Sequence, residues 1–143
     1  MSVEARVLAL FISVDTEIKR VSRDKLELDA NGVLNDKFYA KKKDRLILVT
    51  SAAAYALAKD CGVELEHGSL GENILVDQNI NYLVPGNQFM IGEVTVEVTQ
   101  NCTLCKGLSA IDSKLPEILK NDRGLFVKAI TNGAIKKEDL VII

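Results

Sequence analysis

A chain of 143 residues fits one domain over residues 1–143, and about two-thirds of the unfolded surface can be buried at that size. The composition, 48% hydrophobic and 27% charged, is globular, and with no Trp, three Tyr and four Phe the core has to be aliphatic. A net charge of -2 excludes the broad basic surface of a nucleic-acid binder.

Residues 3–13 are apolar but contain Glu4 and Arg6, with no basic leader and no small-residue cleavage site. They read as a strand over 6–13 rather than a secretion signal. No segment reaches the roughly 18 apolar residues of a membrane span. A cytoplasmic protein follows, whose three cysteines stay reduced.

Residues 25–28 alternate and run into the turn Asp29-Ala30-Asn31-Gly32. The basic stretch Lys37, Lys41, Lys42, Lys43, Arg45 has two readings, a solvated turn between strands or a basic lip for an anionic small ligand. Aliphatic residues 46–49 make the next strand. Ser51 can cap a helix over 52–60, with Gly62 as its stop. Ile74-Leu75-Val76 is a short apolar strand. Pro85-Gly86-Asn87 marks a turn into a strand over 88–91. Over 93–99, Val94, Val96 and Val98 share one face and Glu93, Thr95, Glu97 and Thr99 the other, a strand with one buried side. A short helix over 113–120 tolerates Pro116 in its first turn, and strands over 125–130 and 140–143 flank the turn Asn132-Gly133. Many short strands with turns between them predict a mainly β, single-domain, β-barrel-like fold with a few short peripheral helices.

Two constellations can carry chemistry. Cys102-Thr103-Leu104-Cys105 follows the clearest strand, and thiolates act as nucleophiles, metal ligands and persulfide carriers. A structural zinc site wants four ligands, and Cys61 and His67 do not form a second pair. A thioredoxin-like site wants a βαβ context that is not visible. Buried cysteines acting as small hydrophobes remain an alternative. The second constellation is His67-Gly68-Ser69-Leu70-Gly71-Glu72-Asn73, ahead of an apolar strand. Its glycines form a tight turn or let backbone amides approach a ligand, and Glu72 and Asn73 can brace the loop through side-chain-to-backbone hydrogen bonds.

Taken in order, these motifs resemble the MOSC family, named after the C-terminal domain of molybdenum cofactor sulfurase. Gly68-Ser69-Leu70-Gly71-Glu72-Asn73-Ile74 resembles the family's Gly-x-x-Gly-Glu-Asn segment. Asn35-Asp36-Lys37 followed by Arg45-Leu46-Ile47-Leu48 resembles its Gly-Asp-x-His region and Arg-leading strand. Pro85-Gly86-Asn87-Gln88 and Ile91-Gly92 match a further stretch, and Cys102 stands where the family places its hallmark cysteine. Arg123-Gly124-Leu125-Phe126-Val127 and Asn132-Gly133-Ala134-Ile135 resemble the closing strands. Phe38 stands in place of the histidine, Asn35 in place of a common glycine, and Glu138-Asp139 in place of Gly-Asp.

The resemblance implies a groove for the molybdenum cofactor (molybdopterin), or sulfur carried as a cysteine persulfide in molybdenum cofactor metabolism. It makes Cys102 the catalytic thiol and metal ligand or persulfide carrier, with Cys105 as the neighbour that tunes or resolves it. Gly68, Gly71, Glu72 and Asn73 line the groove by this reading, and Lys37, Arg45 and Arg123 hold a phosphate or other anion. Two alternatives stay open, a small molybdenum-dependent reductase of N-hydroxylated compounds and a non-catalytic adaptor that delivers cofactor. The implied partners are the cofactor or another anionic small molecule, with a sulfur donor or electron-transfer protein, and neither nucleic acid nor membrane. An association with pyridoxal phosphate attaches to the family as a whole.

Overall fold

The computed structural model describes residues 4–17, 19–41, 43, 45–102 and 106–143. Its strands are β1 (Glu4–Ile12), β2 (Val21–Arg23), β3 (Lys25–Asp29), β4 (Gly32–Val33), β5 (Ile47–Ser51), β6 (Ile74–Val76), β7 (Gln88–Ile91), β8 (Val94–Asn101), β9 (Leu125–Ala129), β10 (Gly133–Lys136) and β11 (Leu140–Ile142). Three short helices join them, α1 (Ala52–Asp60), α2 (Lys106–Ile111) and α3 (Leu115–Ile118).

Seven strands close into a barrel in the order β1, β11, β7, β8, β9, β5, β6 and back to β1. Closure pairs strands that would otherwise be left as open edges. β2 adds outside β1, while β10, β3 and β4 form a separate three-stranded sheet. The barrel is antiparallel throughout except for β5 and β6, whose parallel pairing requires a crossover. α1 and the loop after it make that crossover, so the chain returns to the barrel through the 67–73 segment.

The interior is aliphatic, as a chain this poor in aromatics requires. Val7, Leu10, Ile47, Val49, Ile74, Val76, Val94, Val96, Val98, Leu125 and Val127 meet inside, with Phe89 the aromatic ring among them. A second cluster lies outside the wall, where Ala54, Tyr55 and Ala58 of α1 pack with Leu70, Leu75, Leu108, Leu115 and Leu119. Leu75 faces that layer while Ile74 and Val76 face the barrel, the period-2 alternation expected of a strand covered on both sides.

Two expectations change in detail. Ser51 sits at the N-cap of α1 with extended backbone, but its hydroxyl makes no capping bond, because the residue is the buried last position of β5. The helix expected over 113–120 is realised only over Leu115–Ile118, with Pro116 in its first turn, and α2 precedes it. The glycine in the sequence Lys-Gly-Leu-Ser-Ala-Ile hid α2, since glycine disfavours helix by about 1 kcal/mol. Finally, Asn35 and Glu138 adopt left-handed backbone, φ 71° and 73°. Both stand where the resembled motif has glycine, the residue that adopts this backbone most readily.

Among the described residues no helix is long and apolar enough to cross a membrane.

Candidate functional site

β5 and β9 are paired with Ile47 opposite Val127, Leu48 opposite Phe126 and Val49 opposite Leu125. The first and last pairs face the barrel interior, so Leu48 and Phe126 face outward. Cys102 joins those two in a separate buried cluster. Simple continuation of the Val94, Val96, Val98 alternation would aim position 102 into the barrel. A β-bulge between Val98 and Gln100 prevents this: before it Val98 pairs with Val127, and after it Gln100 pairs with Phe126. One extra residue exchanges the two faces of a strand, so Cys102 emerges on the outer side. Its own N–H donates to the Gly124 carbonyl at 2.9 Å, which extends the pairing one step past the strand.

There Cys102 borders a cavity of about 310 Å³, within the range of small-ligand sites. Leu46, Leu48 and Phe126 form its apolar wall. Arg20, Lys41, Arg45 and Arg123 also line it, with Asp36 the one carboxylate among the described lining residues, so a chain of net negative charge concentrates positive charge here. Phe38, Gly71 and Asn73 complete the lining.

The polar residues beneath the cavity are committed to holding it. The Leu48 N–H donates to Asn73 Oδ1 (3.1 Å), and Asn73 Nδ2 donates to the Phe11 carbonyl (3.2 Å). The Asn73 side chain thereby ties β5 to β1, while its backbone bonds both strands as well. Asp36 accepts the Ser13 N–H on Oδ1 (2.7 Å) and the Phe38 N–H on Oδ2 (3.1 Å), and Arg20 Nη1 stands 3.7 Å from Oδ1. Burial pulls the Arg20 guanidinium below its ordinary range, against the opposing attraction of Asp36 and Glu72, and it stays cationic as arginine does in proteins.

The loop before β6 divides in two. Glu72 is fully buried, 0% exposed. Its Oε2 accepts the Tyr55 hydroxyl at 2.6 Å and the Gly68 N–H at 3.1 Å, and the Tyr55 oxygen accepts the N–H groups of Gly68 and Leu70. Burial, and then the Glu72 carboxylate, push the Tyr55 phenol above its ordinary 10.0, so it remains the proton donor of the pair. His67 meets the Tyr55 ring edge-on, centroids 5.0 Å apart. Gly71 instead reaches the cavity. Its φ of +87° suits glycine, and a Cβ there would lie 3.8 Å from Arg123 Nη2 and 4.0 Å from Arg20 Nε. The open Cβ side of Gly71 therefore faces two guanidinium groups.

Arg123 is held from both ends. Its Nη2 donates to the Leu70 carbonyl (3.0 Å), and its own carbonyl accepts the Thr50 hydroxyl (2.9 Å). Gly124 follows with φ +144°, and a Cβ there would collide with the Val49 carbonyl oxygen, so only glycine lets this segment lie against β5. Arg123 and Cys102 are thus delivered to one cavity by the two sides of one close contact.

Of the residues singled out from sequence, Cys102, Gly71, Asn73, Arg45 and Arg123 line the cavity. Gly68 does not: its missing Cβ faces the Phe11 ring. Glu72 is directed into the loop, and the Lys37 ammonium lies 5.3 Å from the Phe38 ring centroid instead of on the cavity lining. Cys105 lies outside the described residues. Within the basic stretch, Lys41 and Arg45 border the cavity. Sequence reasoning passed over Arg20, which follows no motif and reaches the cavity only through the chain's course between β1 and β2. It also treated Phe38 solely as a missing histidine. The groups of three or more His, Cys, Asp or Glu side chains that could cage a metal ion do not occur among the described residues.

The family model of the MOSC domain matches residues 35–141. Among solved structures, the YuaD protein of Bacillus subtilis is similar at a TM-score of 0.85 and 16% identity, covering 99% of this chain and 96% of that one. YiiM of Geobacillus stearothermophilus is similar at a TM-score of 0.74 and 15% identity, covering 97% and 75% of the two chains. For YiiM of Escherichia coli the TM-score is 0.67 and the identity 20%, covering 96% and 69%. At these identities the likeness is one of fold. No curated protein matches the chain.

Proposed function

The chain belongs to the MOSC domain family, and from that premise we propose that its cationic cavity binds the molybdenum cofactor or that Cys102 carries sulfur there as a persulfide. The observation that carries this reading is the sharing of one cavity by the Cys102 thiol and four basic side chains.

The donor set fits the cofactor. Among the described residues Cys102 lends the cavity one soft sulfur and no cluster of side chains could cage a bare ion, which suits a metal that arrives inside its own organic chelate. Cys102 would hold the metal, and Arg20, Lys41, Arg45 and Arg123 the phosphate, guanidinium being matched to phosphate by paired hydrogen bonds. When bound, the cofactor would supply two-electron chemistry at molybdenum. The chain's own contribution is to exclude water with Leu48 and Phe126, to neutralise an anion, and to present one sulfur from a braced backbone.

The sulfur-carrying form uses the same groups. Cationic surroundings favour a thiolate over a thiol. The Cys102 thiolate attacks the outer sulfur of a donor persulfide; the donor's S–S bond breaks, the donor leaves as thiolate, and the sulfur remains on Cys102 with no net oxidation or reduction. A cytoplasmic sulfur donor is the partner for this form, and an electron-transfer protein for the cofactor-bound one.

The test is a preparation from a host that makes the cofactor, assayed for molybdenum and by intact mass under non-reducing conditions. Molybdenum with bound pterin, or the mass of one added sulfur, is expected in the wild type and lost in Cys102→Ser. Undiminished metal and sulfur content in that variant would sink the proposal.

A further inference from the structure

Phe38 is 42% exposed, yet it lines the cavity. Its backbone is fixed on both sides: its N–H donates to Asp36 Oδ2 at 3.1 Å, its carbonyl accepts the Lys41 N–H at 3.0 Å, and Asp36 itself is buried. The Arg20 guanidinium carbon lies 5.8 Å from the ring centroid and the Lys37 ammonium 5.3 Å. Arg20 belongs to the pair of guanidiniums that the Cβ side of Gly71 faces. A partly exposed aromatic ring with two cations over it therefore stands beside a compact anion site, and among the described residues it belongs to none of the buried hydrophobic clusters.

From this juxtaposition we infer that Phe38 is a specificity-determining residue that selects ligands joining a planar ring to a phosphate-like group. The phosphate occupies the Arg20–Arg123 side and the ring lies on Phe38. Aromatic stacking distinguishes a flat ring from a saturated one of similar bulk, because a puckered ring cannot match the flat surface. The neighbouring cations add preference for an electron-rich or anionic ring. This inference rests on the reading of the cavity as an anion site, so the experiment separates the two.

Affinities of the purified full chain for inorganic phosphate, phenyl phosphate and cyclohexyl phosphate are compared by titration calorimetry, for the wild type, Phe38→Leu and Phe38→Tyr. The wild type is expected to bind phenyl phosphate about tenfold more tightly than cyclohexyl phosphate, the scale of one stacking contact. Phe38→Leu should bring the two within about twofold, and Phe38→Tyr should keep the difference. Inorganic phosphate should vary by less than about threefold across the three proteins, which shows that Arg20 is still in place. Equal affinity of the wild type for the two ring phosphates, or a preference that persists in Phe38→Leu, overturns the role of Phe38 while leaving the anion site standing. Failure of the wild type to bind inorganic phosphate overturns the anion site and Phe38's role together.

Discussion

The two faces of β5 and β9 are built from neighbouring residues and do different work. Ile47, Val49, Leu125 and Val127 fill a closed barrel, whereas Leu48 and Phe126, one position away, wall a cavity that also receives Cys102. The inward side chains are surrounded by packed atoms, and the outward ones have space on one side. The comparison teaches that the site uses the barrel's outer wall and takes its rigidity from the interior behind it.

That contrast is open to measurement. Ile47→Ala should cost about 4 kcal/mol in urea denaturation, near the top of the range for emptying a packed core position. Leu48→Ala should cost about half as much, since its lost atoms border space that already exists. Equal costs would break the distinction between the two faces.

The loop behind the cavity allows a sharper version. Tyr55→Phe removes the hydroxyl shared by Glu72, Gly68 and Leu70, and should lower stability by about 2 kcal/mol at neutral pH. It should also change the response to alkali. Burial and Glu72 raise the Tyr55 phenol above its ordinary 10.0, so the folded chain holds that proton more firmly than the unfolded chain. The stability this contributes is intact below about pH 10 and declines as pH climbs beyond it. Denaturation midpoints from about pH 9 to pH 11 should therefore fall more steeply for the wild type than for Tyr55→Phe. Parallel slopes would mean that Glu72 and the loop leave this proton unaffected.

The smallest effect belongs to the other described cysteine. Cys61 is exposed where α1 ends, remote from the cavity lining. Cys61→Ser should shift stability by less than about 0.5 kcal/mol and leave phosphate affinity unchanged. A loss of affinity there would show that the thiol on the cavity wall is not the only one that matters.

Much of the architecture was legible because it depends on local pattern. The run of alternating valines in β8, the apolar triplet of β6 and the alanine-rich α1 each carry their period in consecutive residues. β2 and β4 left no such trace, being three and two residues long and stabilised by pairing rather than by composition. The site was legible where motif and geometry coincide, at Gly71, Asn73 and Cys102. Glu72 braces the loop as its side chain allows, accepting the Gly68 N–H, but nothing local showed that its carboxylate also accepts the hydroxyl of Tyr55, 17 residues away. Arg20 was silent for the opposite reason, since its charge became meaningful only beside Arg123, over a hundred positions along the chain.

Sequence alone determined that this chain is an aliphatic, strand-rich single domain with a thiol at the end of its clearest strand, because hydrophobic period and turn residues act over a few neighbours. Tertiary structure decided which way that thiol points and what surrounds it. The bulge ahead of Cys102 reverses the strand's faces, and the collision that a side chain at position 124 would suffer brings Arg123 alongside. Both depend on contacts between distant segments, which no local pattern encodes.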